Sequence, residues 1–231
     1  MAGRLILAAT PIGNLGDASP RLGEAIAGAD HVFAEDTRRA SILLRYLGIT
    51  RPTRSYFAGN EAARHDDLAE LLRSGASVVL LTDAGTPGIS DPGLSAVKTA
   101  LEVGAETLVI PGPSAVTAAL ALSGLPADRF VFEGFLPRRG KARNERLAEL
   151  AGEERTVVLF AAPHRLVDDL TDLARECGGR RVVLCRELTK LHEEWLTGTV
   201  AEVRAALAAK SEILGEFVAC FHPRAKPQDA P

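Results

Sequence analysis

The sequence predicts an α/β protein of two domains, with a mainly parallel sheet in its N-terminal part and a mixed sheet in its C-terminal part. Three observations carry that reading. Short continuous apolar runs alternate with helical patterns through the first half, Gly/Pro-rich loops follow those runs, and the sequence changes character after Leu122.

The apolar runs are Leu5 to Ala9, Val78 to Leu81 and Leu108 to Ile110. Runs of this length without polar alternation suit strands buried on both faces of a parallel sheet. Between them the spacing is helical. Leu68, Leu71 and Leu72 share a face of a segment beginning near Asn60, and Ala115, Ala118, Ala119 and Leu122 share one after Ser114. Asp36 and Ser114 stand where helix N-caps would serve.

The turn-rich stretch Ser123 to Asp128 then opens a second set of strand-like runs. These are Phe130 to Phe132, Val157 to Phe160, Val182 to Cys185, Trp195 to Gly198 and Phe217 to Phe221, accompanied by two or three helices. The expected boundary falls within residues 112–125, giving an N-terminal domain of residues 1–115 and a C-terminal domain of 116–222. Residues 223–231, polar and Pro-containing, read as a disordered tail.

Length and composition agree with this division. A chain of 231 residues accommodates one large domain or two small ones, and 46% hydrophobic with 25% charged residues is ordinary for a globular protein. No apolar run approaches the roughly 18 to 20 residues of a membrane span. The first residues do not read as a signal peptide. Three widely spaced cysteines, Cys177, Cys185 and Cys220, form neither a disulfide framework nor a metal motif, and point to a reducing cytoplasm. The net charge of −3 gives no support to nucleic-acid binding from composition. The richest basic cluster is Arg138, Arg139, Lys141, Arg143 and Arg146, which reads either as a solvated loop entering a polar helix or as a local RNA-binding patch.

Three Gly/Pro-rich loops are the candidates for chemistry: Thr10 to Asn14, Thr82 to Gly93 and Pro111 to Ser114. In an open α/β sheet, loops at the carboxyl ends of strands gather on one edge, where ligands bind. Glycine lets the backbone approach a ligand and proline stiffens the loop. Neither a GxGxxG fingerprint nor a Walker A loop is present, which argues against an ordinary dinucleotide or nucleoside-triphosphate fold.

Seven segments in order resemble one family. They are Thr10-Pro11-Ile12-Gly13-Asn14-Leu15, Ala34-Glu35-Asp36-Thr37-Arg38, Asp83-Ala84-Gly85-Thr86-Pro87 with Asp91-Pro92-Gly93, Pro111-Gly112-Pro113, Gly134-Phe135-Leu136-Pro137, Pro163-His164-Arg165-Leu166 and Arg186-Glu187-Leu188-Thr189-Lys190. Together they are similar to ribosomal RNA small subunit methyltransferase I, a branch of the tetrapyrrole methylases. The resemblance implies that fold, as a homodimer with S-adenosyl-L-methionine in a cleft between the two domains. It also implies 2′-O-methylation of a cytidine ribose in 16S ribosomal RNA, either naked or within the 30S particle.

By position, the resemblance makes Ile12, Asp83, Gly85, Thr86, Ile89, Ser114, Ala115, Phe160, Leu214 and Gly215 cofactor contacts. Asn14, Asn60, His164, Arg165, Arg138 and Arg139 are the expected substrate contacts. A ribose hydroxyl is a weak acid and gains from a base or from a cation beside the developing alkoxide. Glu187, Lys190, Asp36 and Arg38 are the catalytic candidates, with Glu35 beside them; Asp36 as a simple helix cap and Glu187–Lys190 as a surface ion pair are the plainer alternatives. Trp195 is either a stacking platform or core, and no metal ligand set is expected.

The chain departs from the family pattern at Ala58, where a histidine is usual, at Ala161-Ala162, where an acid is usual, and at Leu214, where a lysine is usual. Two other functions therefore stand beside the first. One is a methyltransferase of the same fold acting on a tetrapyrrole or other small molecule; the other is a homologue that binds cofactor or RNA with impaired catalysis.

Overall fold

A computed structural model describes residues 3–177 and 179–221. The tail expected to be disordered lies outside the described residues. The chain divides into two compact units, Met1–Ser114 and Ala115–Pro231.

The first unit is built on five strands, β1 (Arg4–Ala8), β2 (His31–Ala34), β3 (Thr53–Ser55), β4 (Ser77–Leu81) and β5 (Glu106–Ile110), in the order β3-β2-β4-β1-β5. Every pairing is parallel. Four helices connect them: α1 (Pro20–Gly28), α2 (Thr37–Tyr46), α3 (Glu61–Arg73) and α4 (Leu94–Glu102). Alternate strand residues feed two cores. Val32, Val79 and Leu81 meet Leu22 and Ile26 of α1 and Leu43 and Leu44 of α2. Phe33, Val78 and Leu80 meet Leu68 and Leu72 of α3 and Ala96 and Ala100 of α4 on the other face. Each fully buried Val, Leu, Ile or Phe among them contributes about 1.5–3 kcal/mol.

That division of helices positions a crevice. The neighbours β1 and β4 lead into helices on opposite faces, α1 and α4, so their carboxyl-end loops part from each other. Such a switch point is where an open α/β sheet takes its ligand.

The second unit begins with α5 (Ala115–Ser123). It continues through β6 (Phe130–Phe135), α6 (Lys141–Gly152), β7 (Thr156–Ala161), α7 (Leu166–Cys177), β8 (Arg181–Arg186), β9 (Glu194–Thr199), α8 (Val200–Ala208) and β10 (Phe217–Phe221). Its sheet runs β6-β7-β10-β8-β9. The β6–β7 pair is parallel, whereas β10 runs antiparallel to both β7 and β8, and β8 antiparallel to β9. Among the described residues, β9 and β10 therefore do not pair with each other, since β8 lies between them. One face carries Leu147, Leu150, Leu170, Leu173, Val203 and Leu207 of α6, α7 and α8 over Val157, Leu159, Val182, Leu184 and Ala219. Helix α5 packs on β7 and β10. A reciprocal capping box starts α8: Glu202 N donates to Thr199 Oγ1 at 3.3 Å and Thr199 N donates to Glu202 Oε2 at 2.8 Å.

One face assignment needs correction. Helix α5 buries Val116, Ala119, Leu120 and Ser123, while Leu122 is exposed. Its sequence, Ala-Val-Thr-Ala-Ala-Leu-Ala-Leu-Ser, carries no charged side to orient it, so spacing alone selects the wrong stripe. The strand β3, Thr-Arg-Ser, contains no apolar residue and so does not register as an apolar run. No helix among the described residues is long and apolar enough to cross a membrane.

Candidate active site

The loops after β4, β1 and β5 lie side by side because those strands are neighbours. They are also tied together. Thr10 N donates to Gly85 O at 2.9 Å and Gly85 N to Thr10 O at 3.1 Å, an isolated antiparallel bridge between the first and second loops. Thr10 Oγ1 donates to Thr82 O at 3.2 Å, and Ala9 N to Ile110 O at 3.0 Å. Gly85 is buried with φ +82°, and a Cβ placed there would lie 3.7 Å from Ile12 Cγ2 and 3.9 Å from Pro113 O. All three loops thus converge on the space that a side chain at residue 85 would fill.

The rest of the long loop folds on itself. Ile89 N donates to Thr86 O at 3.2 Å and Gly88 N to Pro92 O at 3.1 Å, which leaves Ile89 exposed beside the half-buried Thr86. Glycine backbone and aliphatic side chains on these loops suit a nucleoside read through its edges, so the residues present are compatible with S-adenosylmethionine. Asn14, exposed at the end of the first loop, accepts from Gly16 N at 2.9 Å. Ser114 and Ala115 are half-buried at the start of α5.

Asp83 points to the end of β2. Its Oδ1 accepts from Asp36 N at 3.0 Å, its Oδ2 lies 3.6 Å from Arg39 Nε, and its own N donates to Glu35 Oε2 at 3.2 Å. Burial pushes the Glu35 carboxyl up, and the nearby Asp83 charge adds to this against the bond from Asp83 N. Asp36 caps α2, accepting from Arg38 N at 2.8 Å, and the Arg38 guanidinium grips both of its carboxylate oxygens. The Arg38 side chain draws the Asp36 carboxyl down to about 2, with the Arg38 amide assisting. The cap is therefore also one half of an exposed ion pair.

In the second unit, Glu187 and Lys190 form the centre of a larger network. Lys190 Nζ donates to Glu187 Oε1 at 2.8 Å and to Glu216 Oε2 at 3.0 Å. Glu216 N donates to the same Glu187 Oε1 at 2.8 Å, and Glu187 N to Glu216 O at 2.9 Å. Burial lowers the affinity of Lys190 for its proton, but the two carboxylates outweigh it and hold the ammonium above its ordinary value. Burial raises Glu187, and Lys190 with the Glu216 amide overcomes that and leaves the carboxyl below its ordinary value. Both side chains are about three-quarters or more buried, so this pair is more than a loose surface contact.

Gly215 lies against Glu187, and Leu214 is exposed, with its carbonyl accepting from Arg186 Nε at 2.7 Å. Phe160, half-buried on β7, meets Phe132 edge-on at 5.0 Å and Phe135 at 5.6 Å.

The basic cluster is not what its sequence suggests. Arg143 is buried, paired with Asp169 and Asp172 at 2.8 Å each and donating to Pro137 O at 2.9 Å. Arg146 pairs with Glu133 and Glu149, and Lys141 with Glu145. Arg138 and Arg139 remain exposed at the tip of the loop. Arg165 faces inward, donating to Leu136 O at 3.2 Å and lying 3.9 Å from Asp169, while His164 is exposed. Asn60 is committed to its own loop: it accepts from Phe57 N at 2.8 Å and donates to Ser55 O at 3.2 Å. Trp195 is 52% exposed on the edge strand β9, so it is not core. Among the described residues no group of three or more His, Cys, Asp or Glu could hold a metal ion.

Two participants had no sequence signal of their own. Glu216 follows Gly215 in a Leu-Gly-Glu-Phe run but lies 26 residues from the lysine it holds. Asp169 looks like any acid of a polar helix, yet its side chain is 2% exposed between two arginines.

A parallel sheet with a glycine-rich crevice, joined in one chain to a mixed sheet, defines an α/β enzyme of the tetrapyrrole methylase class. The sequence pattern of the Tetrapyrrole (Corrin/Porphyrin) Methylases matches residues 4–204. The chain is 50% identical over 219 residues to a protein of Mycobacterium tuberculosis (strain ATCC 25618 / H37Rv) named Ribosomal RNA small subunit methyltransferase I, covering 94% of this chain and 76% of that one. A protein of Thermotoga maritima with the same name is 42% identical over 215 residues, covering 93% of this chain and 96% of that one. A solved uroporphyrin-III-C-methyltransferase of Thermus thermophilus shares the fold, with a TM-score of 0.67 at 17% identity over 95% of this chain and 94% of that one. This chain belongs to the tetrapyrrole methylase family and, within it, to the ribosomal RNA small subunit methyltransferase I family. It is a methyltransferase, and family and fold imply S-adenosylmethionine as its methyl donor.

Proposed function

We propose that the chain methylates the 2′-hydroxyl of a cytidine ribose in small-subunit ribosomal RNA. The observation that carries the substrate class is the 42–50% identity, over more than nine-tenths of this chain, to proteins named for that RNA. The crevice carries the cofactor. Gly85 adds no side chain to it, and Ile12, Thr86 and Ile89 flank it.

Bound S-adenosylmethionine supplies a methyl group on a sulfonium, and the electron pair of the broken C–S bond stays on sulfur. The chain's own contribution is alignment and charge. An ammonium has three N–H donors, and Lys190 spends two of them on Glu187 and Glu216. The third is available to the ribose oxygen as charge builds there, while the hydroxyl proton passes to water. A lysine held protonated acts here as a fixed cation and not as a base. The Asp36–Arg38 pair, whose carboxylate is a very weak base, serves as a second electrostatic element near the RNA.

Arg138, Arg139 and His164, exposed, contact phosphates, and Asn14 contacts the nucleotide. Arg165 supports the loop of Arg138 and Arg139 through Leu136 O. The protein acts in the cytoplasm, where its three free thiols persist. It works as a homodimer, for which the exposed Leu108 and Val109 of edge strand β5 supply apolar surface.

The test is transfer of labelled methyl from S-adenosylmethionine to 30S particles and naked 16S RNA from cells lacking this activity, with a tetrapyrrole in parallel. Incorporation into RNA alone supports the reading. Incorporation into the tetrapyrrole assigns a small-molecule substrate, and cofactor binding without transfer to any acceptor assigns a binding role.

A further inference from the structure

We propose that Gly215 and Glu216 are positioning residues that hold Lys190 in place through Glu187, Gly215 by leaving room for the Glu187 side chain and Glu216 by clamping both partners. The inference rests on the role just given to Lys190.

The geometry is specific. A Cβ on residue 215 would lie 2.7 Å from Glu187 Cγ and 2.8 Å from both its Cδ and its Oε1. Glu187 Oε1 is the atom that accepts from both Lys190 Nζ and Glu216 N. Any side chain at 215 must therefore push out the carboxylate on which the lysine is hung. Gly215 itself has φ +104°, which favours glycine at the same point.

The backbone around the lysine is held in an uncommon conformation. Glu187 and Thr189 have φ of 51° and 66°, a left-handed region rarely taken by residues other than glycine. Such residues persist where surrounding bonds over-determine them, and they gather at functional sites. The bonds here are Glu187 N to Glu216 O at 2.9 Å, Lys190 N to Glu187 O at 3.0 Å, and Thr189 N to a Glu193 carboxylate oxygen. Glu216 closes the arrangement by accepting from Lys190 Nζ. A purely structural ion pair would not require a second carboxylate, a strained turn and a missing Cβ around one ammonium.

The experiment compares native protein, Glu216→Gln and Gly215→Ala in methyl transfer to 30S particles across pH, with cofactor affinity by calorimetry. Glu216→Gln removes one carboxylate from the lysine, so kcat should fall about tenfold to a hundredfold. The alkaline limb of its pH profile should move to lower pH as Lys190 loses its proton more readily. Gly215→Ala should lower kcat similarly while the Kd for S-adenosylmethionine stays within about twofold. A Glu216→Gln enzyme with native kcat and pH profile overturns the inference. So does a Gly215→Ala protein whose loss is in cofactor affinity, since that makes Gly215 a cofactor contact. Should Gly215→Ala fail to fold, Glu216→Gln decides alone. Absence of transfer by the native protein to any acceptor would instead overturn the reading of the site, and this inference with it.

Discussion

Thr10 and Gly85 exchange both of their backbone hydrogen bonds, at 2.9 and 3.1 Å, and so join the loop after β1 to the loop after β4. The bridge is what makes a single crevice of two loops whose helices leave in opposite directions. Gly85 reaches it only through φ +82°. Gly85→Val should cost about 1–2 kcal/mol in backbone strain and fill the convergence point of the loops. Affinity for S-adenosylmethionine should fall tenfold or more by calorimetry, with the circular-dichroism spectrum retained. Native affinity in this variant would remove the cofactor from the crevice.

The Asp169 side chain, 2% exposed, lies between Arg143 at 2.8 Å and Arg165 at 3.9 Å. Arg143→Met leaves a buried carboxylate without its main counter-charge, and should destabilise the fold by about 3–5 kcal/mol. Urea unfolding measures this. The same change at Arg138, on the exposed loop tip, should cost within about 0.5 kcal/mol.

Asp36 sets a pH dependence of stability. Its carboxyl is drawn down from 3.8 to about 2 by Arg38. A group depressed on folding contributes stability above its unfolded value and loses it as pH falls through the folded one. The difference in unfolding midpoint between native protein and Asp36→Asn, which keeps a capping side chain, should be full at pH 5 and vanish toward pH 2. A difference unchanged across that range would place the stabilisation in the cap and not in the charge.

Arg138 and Arg139 should act on RNA binding and leave chemistry alone. With both replaced by Ala, KM for the particle should rise while kcat is held. The salt dependence of binding to single-stranded RNA should lose about 1.4 from its log–log slope, since each phosphate contact contributes about 0.7. An unchanged slope would show that this loop does not meet the backbone.

What the sequence made legible follows from what is local. The strand Phe217–Phe221 is a five-residue apolar run buried along its whole length, and it is read residue for residue. The three loops are marked by their own Gly and Pro content, and Asp36 by its place before a helix. The Lys190 network was legible by half. Glu187 is three residues from the lysine, whereas Glu216 and Gly215 reach it only because β10 pairs with β8. Arg143 misled for a related reason. Nothing near it in sequence announces that Asp169 and Asp172, on another helix, will bury it. Helix α5 misled because a segment without a charged residue says little about which side turns inward.

The most direct test of the central claim is to digest 16S RNA, methylated by this protein with labelled donor, first with alkali and then to nucleosides for mass spectrometry. A 2′-O-methyl blocks the neighbouring phosphodiester from alkaline cleavage, so label should be confined to one alkali-resistant dinucleotide that yields 2′-O-methylcytidine. Label recovered in alkali-sensitive mononucleotides, with the methyl on the base, would contradict it.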